Sequence, residues 1–475
     1  MGFLLKGLFF LSIVLLFFQA FGFFVPNTGA CFCFEVISIS CLYLLFLSVY
    51  RFKVIKLLKN CLKYKFFKFY TALLLYIVFT TILLSFFGFY TASKSFYVFK
   101  YIKLLIPMIL IFFLPILGLV FHISLKKIIK IIYLTIYFVL LFGLLQYIIF
   151  LFEIPILYNL IDIVTNLRII YEDLNECKVM LRVYSTFFEP SAFGQFIFIV
   201  LPIINSIYKT KYKIVNHPIL NIILKKTIIP LTIFDIIATK SPIYLVLCFI
   251  EIFVLFLIDN FKYIKKYLFI YSIVFILIFS GLFSLSKTDM FNEVSNNSYL
   301  GRIKTTIETF SDPYEFSKKE PSLATRLYFY ANQVEVFKRF PLFGCGIGNI
   351  DKYALITFGS TNNLVPTWEN MNDYKKADKL LPQAYSLVYT SLAEYGLIGF
   401  ILLFLFWYQA FAQINKNIKY LDGLIKDFSV GIQGSLVSIA IISFYNLNRE
   451  NYTIWLILGF VLAINIYIKE RMQRV

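Results

Sequence analysis

Read with a helical window, the chain alternates between apolar stretches and short basic connections from one end to the other. The apolar stretches fall near residues 4–24, 31–50, 69–90, 102–121, 131–152, 191–208, 227–239, 242–258, 268–285, 385–409, 428–446 and 452–468. Most are about 18 to 22 residues long, the length at which a helix crosses a bilayer. The pattern therefore predicts about twelve transmembrane helices. The stretch 227–239 is short, but without it the positive clusters that follow would fall on the wrong face. Two connections stand apart. Residues 153–190 form one, and residues 286–384 form a segment of roughly a hundred residues, long enough to be expected to fold in part and to carry function. Inside it, "ATRLYFYANQVEVFKRFPLFGCGIGN" predicts a helix with Leu327, Tyr330, Val334 and Phe337 on one stripe. Pro341, Gly344, Gly346 and Gly348 end that helix, and its stripe is expected to lie against the membrane surface.

The polar connections fix the expected sidedness, because lysine and arginine in short loops collect on the cytoplasmic side. The clusters "RFKVIKLLKNCLKYKFFK" (51–68), "HISLKKIIK" (122–130), "KTKYKIVNHPILNIILKK" (209–226), "DNFKYIKKY" (259–267), "QINKNIKYLDGLIKD" (413–427) and the tail "KERMQRV" all fall on one side without a slip. Both termini are then expected to be cytoplasmic and the two long connections outward. "NTGAC" resembles a lipoprotein cleavage site. Only Lys6 precedes the first apolar stretch, however, and Thr28 stands three before Cys31 where a leucine belongs, so an uncleaved first helix fits better.

Composition agrees. Of 475 residues, 60% are hydrophobic, 20% aromatic and 15% charged, with a mean hydropathy of +0.80, against about 45–50% apolar usage in soluble domains. The expected fold class is an all-α integral membrane protein. It would be organised as N-terminal transmembrane helices (1–152), an outward loop with core helices (153–285), a large periplasmic or extracellular loop (286–384) and C-terminal helices (385–475). A net charge of +19 could serve nucleic acid, but here the lysines punctuate spans, so the expected partner is lipid and not nucleic acid. The seven cysteines show no paired metal spacing and read as small hydrophobes. Cys177 and Cys345 fall in outward loops, and nothing in their spacing favours a disulfide.

Candidate chemistry concentrates in "RVYSTFFEPSAFGQF" (182–196), where Glu189-Pro190-Ser191 opens an apolar span. Proline suits the first helical position, and the free N–H groups and positive dipole end there can hold an anion. Arg182 lies just upstream, and a planar guanidinium suits phosphate or diphosphate. An arginine at a helix end also snorkels to head groups, and Glu189 can be a helix cap or the arginine's own counter-ion. "IATKSPIY" adds a second outward cation, Lys240, in a tight turn where a lysine can equally meet lipid phosphates. Arg326 begins the long-loop helix, a poor place for a cation unless an anion answers it; the alternative there is a solvated loop charge.

The joint order of "FFEPSAFG", the turn "TKSP", "TRLYFY…FKRFPLFGCGIG" and "LVYTSLAEYGLIGF" resembles the O-antigen ligase and polymerase superfamily, most closely the Wzy-type repeat-unit polymerases of O-antigen and capsule assembly. The resemblance covers most of the chain from about residue 130 onward. Each motif is short, and their order carries the specificity. Two departures stand out. Where ligases of the superfamily place a histidine with an asparagine before the "E-x-G-l-i-G" helix, this chain has Gln383 and Ala384. Where the family often carries Ser-Arg, it has Lys240.

The resemblance implies a GT-C-like membrane glycosyltransferase of the bacterial cytoplasmic (inner) membrane. Its donor would be a glycan on undecaprenyl diphosphate and its acceptor a sugar hydroxyl of another lipid-linked repeat unit. Arg182 and Arg326 would clamp the diphosphate as charge develops on it, with Lys240 and Ser191 assisting. The proton acceptor would be Glu189, with Glu335 and Glu394 as alternatives. Tyr184, Tyr328, Tyr330, Gln383 and Glu394 would line the sugar path. The outward loops show no compact carboxylate cluster, so no metal or other cofactor is expected. A separate chain-length regulator is a possible partner. A ligase acting on another acceptor, and a flippase of the same lipid-linked oligosaccharide, are the rival readings.

Overall fold

The computed structural model describes residues 2–17, 22–25, 30–33, 39–44, 46, 59–86, 105, 107–152, 182–187, 190–259, 321–347, 349–350, 386–445 and 451–473. Eleven longer helices run through them: α1 (Gly2–Leu15), α2 (Lys65–Phe86), α3 (Phe112–Val120), α4 (Leu125–Phe152), α5 (Pro190–Lys209), α6 (Pro218–Ala238), α7 (Pro242–Asp259), α8 (Pro321–Arg339), α9 (Leu387–Ile418), α10 (Gly423–Ile442) and α11 (Tyr452–Met472). A π-helical turn, Pro107–Ile111, leads into α3. Six helices, α2, α4, α5, α9, α10 and α11, contain stretches long and apolar enough to cross a membrane. The protein is a multi-pass, all-α integral membrane protein, and the predicted stretch 268–285 lies outside the described residues.

Local departures from the pattern have local causes. The stretch read as a span over 4–24 stops being helical after Leu15. Gly22–Val25 (β1) and Ala30–Cys33 (β2) then pair antiparallel around "PNTG", a run of turn-forming residues. The stretch 227–239 is longer than hydropathy alone suggests. His217 caps α6, its Nδ1 accepting from Leu220 N–H at 3.5 Å, and Pro218 occupies the first turn, so the helix begins inside the basic connection.

Packing uses aromatic rings and small residues, as expected where lipid removes the hydrophobic drive between helices. Tyr70 of α2 stacks on Phe112 of α3 with ring centres 4.1 Å apart, and Phe406 of α9 lies 5.4 Å from Tyr70. α5 and α10 press together at Gly431 and Gly434. A Cβ at Gly434 would stand 2.5 Å from Pro202 Cβ. α11 is the most enclosed span, and a Cβ at Gly459 would stand 2.1 Å from the Phe112 carbonyl oxygen. Large apolar side chains such as Leu75, Phe79, Phe138, Phe249 and Phe404 are exposed around the outside, the surface a lipid-embedded bundle presents.

α9 is broken at Gly396, whose backbone lies at φ 62°, ψ −169°. A break in a membrane helix frees carbonyl and N–H groups that must find partners. Five of them do. Cys345 N–H and Gly346 N–H donate to the carbonyls of Ala393 and Glu394 at 2.9 Å each, while Leu397 N–H and Ile398 N–H donate to Pro341 and Leu342 at 2.8 and 3.3 Å. The phenol of Tyr76 on α2 donates to the Tyr395 carbonyl at 2.7 Å. Gly344 is also left-handed (φ 72°), and a Cβ there would meet the Glu394 carbonyl oxygen at 2.2 Å. One at Gly396 would meet the Leu342 carbonyl oxygen at 2.4 Å. The turn after α8 is thereby stitched into the interrupted helix.

The two ends of the bundle differ. At one, Arg471 forks onto Asp422 with bonds of 3.2 and 3.0 Å, holding that carboxyl below the usual carboxylate range, with Lys126 adding to the effect. Lys225 Nζ donates to the Thr210 carbonyl at 2.6 Å at this end. The opposite end holds Arg182, Lys240, the start of α9 and the docked α8.

Gly396→Ala and Gly344→Ala are each expected to cost about 3 kcal/mol or more, since a side chain would need both a left-handed backbone and space that carbonyls fill. Tyr76→Phe should cost about 1–2 kcal/mol. Thermal unfolding in detergent micelles checks the order, and equal stability of Gly396→Ala and wild type would contradict the stitched break.

Candidate functional site

The segment after the first long connection is pinned by backbone and side-chain bonds before it enters α5. Val183 N–H donates to the Ala238 carbonyl at 2.9 Å. The N–H groups of Tyr184 and Ser185 both donate to Gln146 Oε1 of α4, at 2.9 and 2.8 Å. Ser185 Oγ donates to the Val139 carbonyl at 2.6 Å, and Thr186 Oγ1 donates to the Phe17 carbonyl. Ser185 takes a left-handed backbone at φ 51°, a conformation costly for a residue with a Cβ and kept only where its surroundings insist on it.

Half-buried Arg182 is aimed by this segment at the end of α6, where its Nε donates to the Thr239 carbonyl at 3.4 Å. That bond is long, but a cation at a helix C-terminus also meets the negative end of the dipole. The next residue is Lys240, again left-handed at φ 49°, followed by Ser241 and the α7 start at Pro242. α5 starts at Pro190 at the same end and packs closely on α7. A Cβ at Gly194 would stand 2.9 Å from the Tyr244 ring. Two cations and two positive helix starts are gathered here, an arrangement suited to an anion with several oxygens.

Under the turn lies a group that hydropathy hid. Asp235 sits one helical turn before Thr239, whose N–H donates to its carbonyl at 2.9 Å. Its side chain is 0% exposed, and among the described residues neither carboxylate oxygen has a hydrogen-bond partner. Gly143 of α4 makes room for it: a Cβ there would be 2.7 Å from Asp235 Oδ1. One turn along α4, Gln146 Nε2 is likewise buried without a partner.

A second polar region joins α8 to α9. The buried face of α8 is Phe329, Asn332, Gln333 and Val336, one step around from the stripe expected on Tyr330, Val334 and Phe337. Its neighbour is a helix lined with Thr390, Ser391 and Ala393 and not a lipid surface, so amides turn inward: Gln333 Nε2 donates to Thr390 Oγ1 at 3.0 Å. The rings of Tyr330 and Tyr389 stack 5.2 Å apart, and the Tyr330 phenol donates to the Tyr445 carbonyl.

Among the residues marked by the sequence, Arg182 and Lys240 flank one turn, buried Tyr184 and partly exposed Ser191 belong to the same end, and Glu394 is 1% exposed beside the break in α9. Arg326 and Tyr328 lie on α8, with their side chains outside the described residues. Glu189 and Gln383 also lie outside them. Glu335 forms an exposed ion pair with Lys338 at 2.6 Å. Asp235 and Gln146 were not marked. Asp235 was legible in principle, since an ionisable residue in an apolar span points to function by default; Gln146 carried no such signal.

Residues 228–404 match the family model described as O-antigen ligase. The matched segment runs from within α6 through α7 and α8 to the first half of α9, and so includes the Lys240 turn, Asp235 and the break at Gly396. Over this segment the chain is similar to the O-antigen ligase/polymerase superfamily. No curated protein matches the sequence.

Gln146→Leu strands two buried backbone donors and is expected to destabilise the protein by about 1–3 kcal/mol per donor. Gln146→Glu, which keeps an acceptor, should lose less. Melting temperatures compared with wild type check this; unchanged values for Gln146→Leu would show that the segment 182–187 is held otherwise.

Proposed function

We propose that the protein polymerises lipid-linked oligosaccharide repeat units at the outer face of the bacterial cytoplasmic membrane. It would transfer glycan from an undecaprenyl diphosphate donor to a sugar hydroxyl of an acceptor unit. The acceptor oxygen attacks C1 of the donor sugar, the C1–O bond to diphosphate breaks with its electron pair leaving on the diphosphate oxygen, and the hydroxyl proton passes to a carboxylate. Glu189 is the proposed acceptor of that proton. Fixed cations lower the barrier by meeting charge as it develops on the leaving group, an effect often worth about 3 kcal/mol per well-placed donor. Arg182 and Arg326 supply this, Lys240 assists, and Ser191 offers its hydroxyl at the start of α5. No metal is required in this reading.

The observation that carries it is the pairing of Arg182 with the Lys240 turn beside two helix starts, at the end of the bundle away from the lysine clusters. By the positive-inside rule that end faces outward. A second observation favours a polymerase over a ligase with a histidine base. The sequence has two histidines; His217 begins α6 and His122 precedes α4, both at the lysine-rich end.

Purified protein given lipid-linked repeat units alone should form ladders. Failure without a second acceptor would favour the ligase, and movement across the bilayer without bond formation would favour a flippase. Arg182→Ala and Arg326→Ala are expected to abolish long chains at unchanged protein level, with lysine rescuing poorly; full ladders from both would defeat the clamp. EDTA should leave the ladder intact, and inhibition reversed by magnesium would overturn the metal-free step.

A further inference from the structure

We propose that Asp235 is a proton-binding site within the bundle and that its occupancy by a proton sets the affinity of the Arg182–Lys240 turn for diphosphate. The first half stands on the structure of α4 and α6 alone; the second rests on the function proposed above.

Asp235 is fully buried on α6, which packs on α4, α5 and α7. From α4 it faces Gly143, with the Tyr147 ring packed on neighbouring Phe234 and Gln146 one turn away. The space at Gly143 is closed from α5 by the Phe193 ring, 3.2 Å from where a Cβ would stand. α7, which packs on α6, carries Tyr244, Cys248 and Glu251, and Glu251 accepts from Ser438 Oγ of α10. Lys126, Lys127, Lys130 and Lys209 lie at the far ends of α4 and α5. Among the described residues at the near end, Arg182 and Lys240 belong to the turn above, while Glu335, Lys338 and Arg339 lie on α8 and Glu394 on α9. Among the described residues, no ion pair reaches the carboxyl group and no donor bonds either oxygen.

An ionised carboxylate so placed is costly, whereas the neutral acid can be housed and can donate its own hydrogen. The neutral acid also matters to the site. Thr239, whose carbonyl Arg182 holds, lies four residues on, a helical rise of about 6 Å. At that separation an ionised Asp235 would cancel part of the positive field facing the diphosphate. Protonated, it leaves the field whole. By linkage, diphosphate binding and proton binding then favour one another: affinity is full while the acid is protonated and falls as rising pH ionises it.

The full-length protein in lipid nanodiscs tests both halves. Its infrared spectrum at neutral pH should contain the C=O stretch of a protonated carboxylic acid that Asp235→Asn removes and Glu251→Gln leaves. Should Asp235→Asn fail to accumulate, Asp235→Glu should move that band. Absence of any band that responds to these substitutions would overturn the proton site. Binding of inorganic pyrophosphate should weaken on the order of tenfold as pH rises through the loss of the band, and Asp235→Asn should flatten that fall. A parallel fall in the variant would overturn the coupling. A band without pyrophosphate binding at any pH would retain the proton site, overturn its coupling and count against the proposed function.

Discussion

A helix interrupted inside a bilayer is tolerable only if the backbone groups it releases are bonded again, and at the interruption of α9 at Gly396 the new partners come from two directions. The turn after α8 supplies four bonds and the Tyr76 phenol of α2 a fifth. The arrangement fixes more than a kink. It ties a helix of the large polar connection to the membrane core by main chain, so α8 cannot leave without exposing carbonyls to an environment that offers them nothing. Side-chain contacts add to it through Val336, Cys345, Ile350 and Ala393, and the buried amides of Asn332 and Gln333 sit in the same seam.

The cationic turn is built in the opposite manner, from strain. Ser185 and Lys240 hold left-handed backbones, and neither residue favours one. Gln146, Val139, Phe17 and Ala238 together supply enough bonds to keep the segment there. Such over-determination holds the segment that carries Arg182, and pre-placed charge is what the function proposed above would need. The buried acid beneath belongs to the same unit, since it shares α6 with the carbonyl that Arg182 grips.

The membrane class was legible in the sequence because hydrophobic periodicity and lysine placement are averages over many residues. Pro190, Pro242 and the Gly344–Gly346 stop were legible too, since proline and glycine carry backbone meaning on their own. What escaped depends on partners far along the chain. The inward face of α8, with Asn332 and Gln333, escaped because its neighbour is Thr390 and Ser391, fifty-odd residues away. The hairpin at 22–33 lay hidden inside two apolar runs, with only "PNTG" to betray it. Gln146 looks like any polar residue on a long helix until residues 184 and 185 fold back onto it.

The stitching at Gly396 has a further consequence for how such a protein can diverge. Because Gly346 bonds Glu394 directly, the polypeptide between them departs from and returns to the same spot on the bundle. The entropy of closing such an excursion grows only with the logarithm of its length. Insertions and rewritten sequence there are cheap, while the two glycines and the carbonyls between them admit almost no change. Sequence can thus change along the tethered excursion while the stitched framework stays as it is.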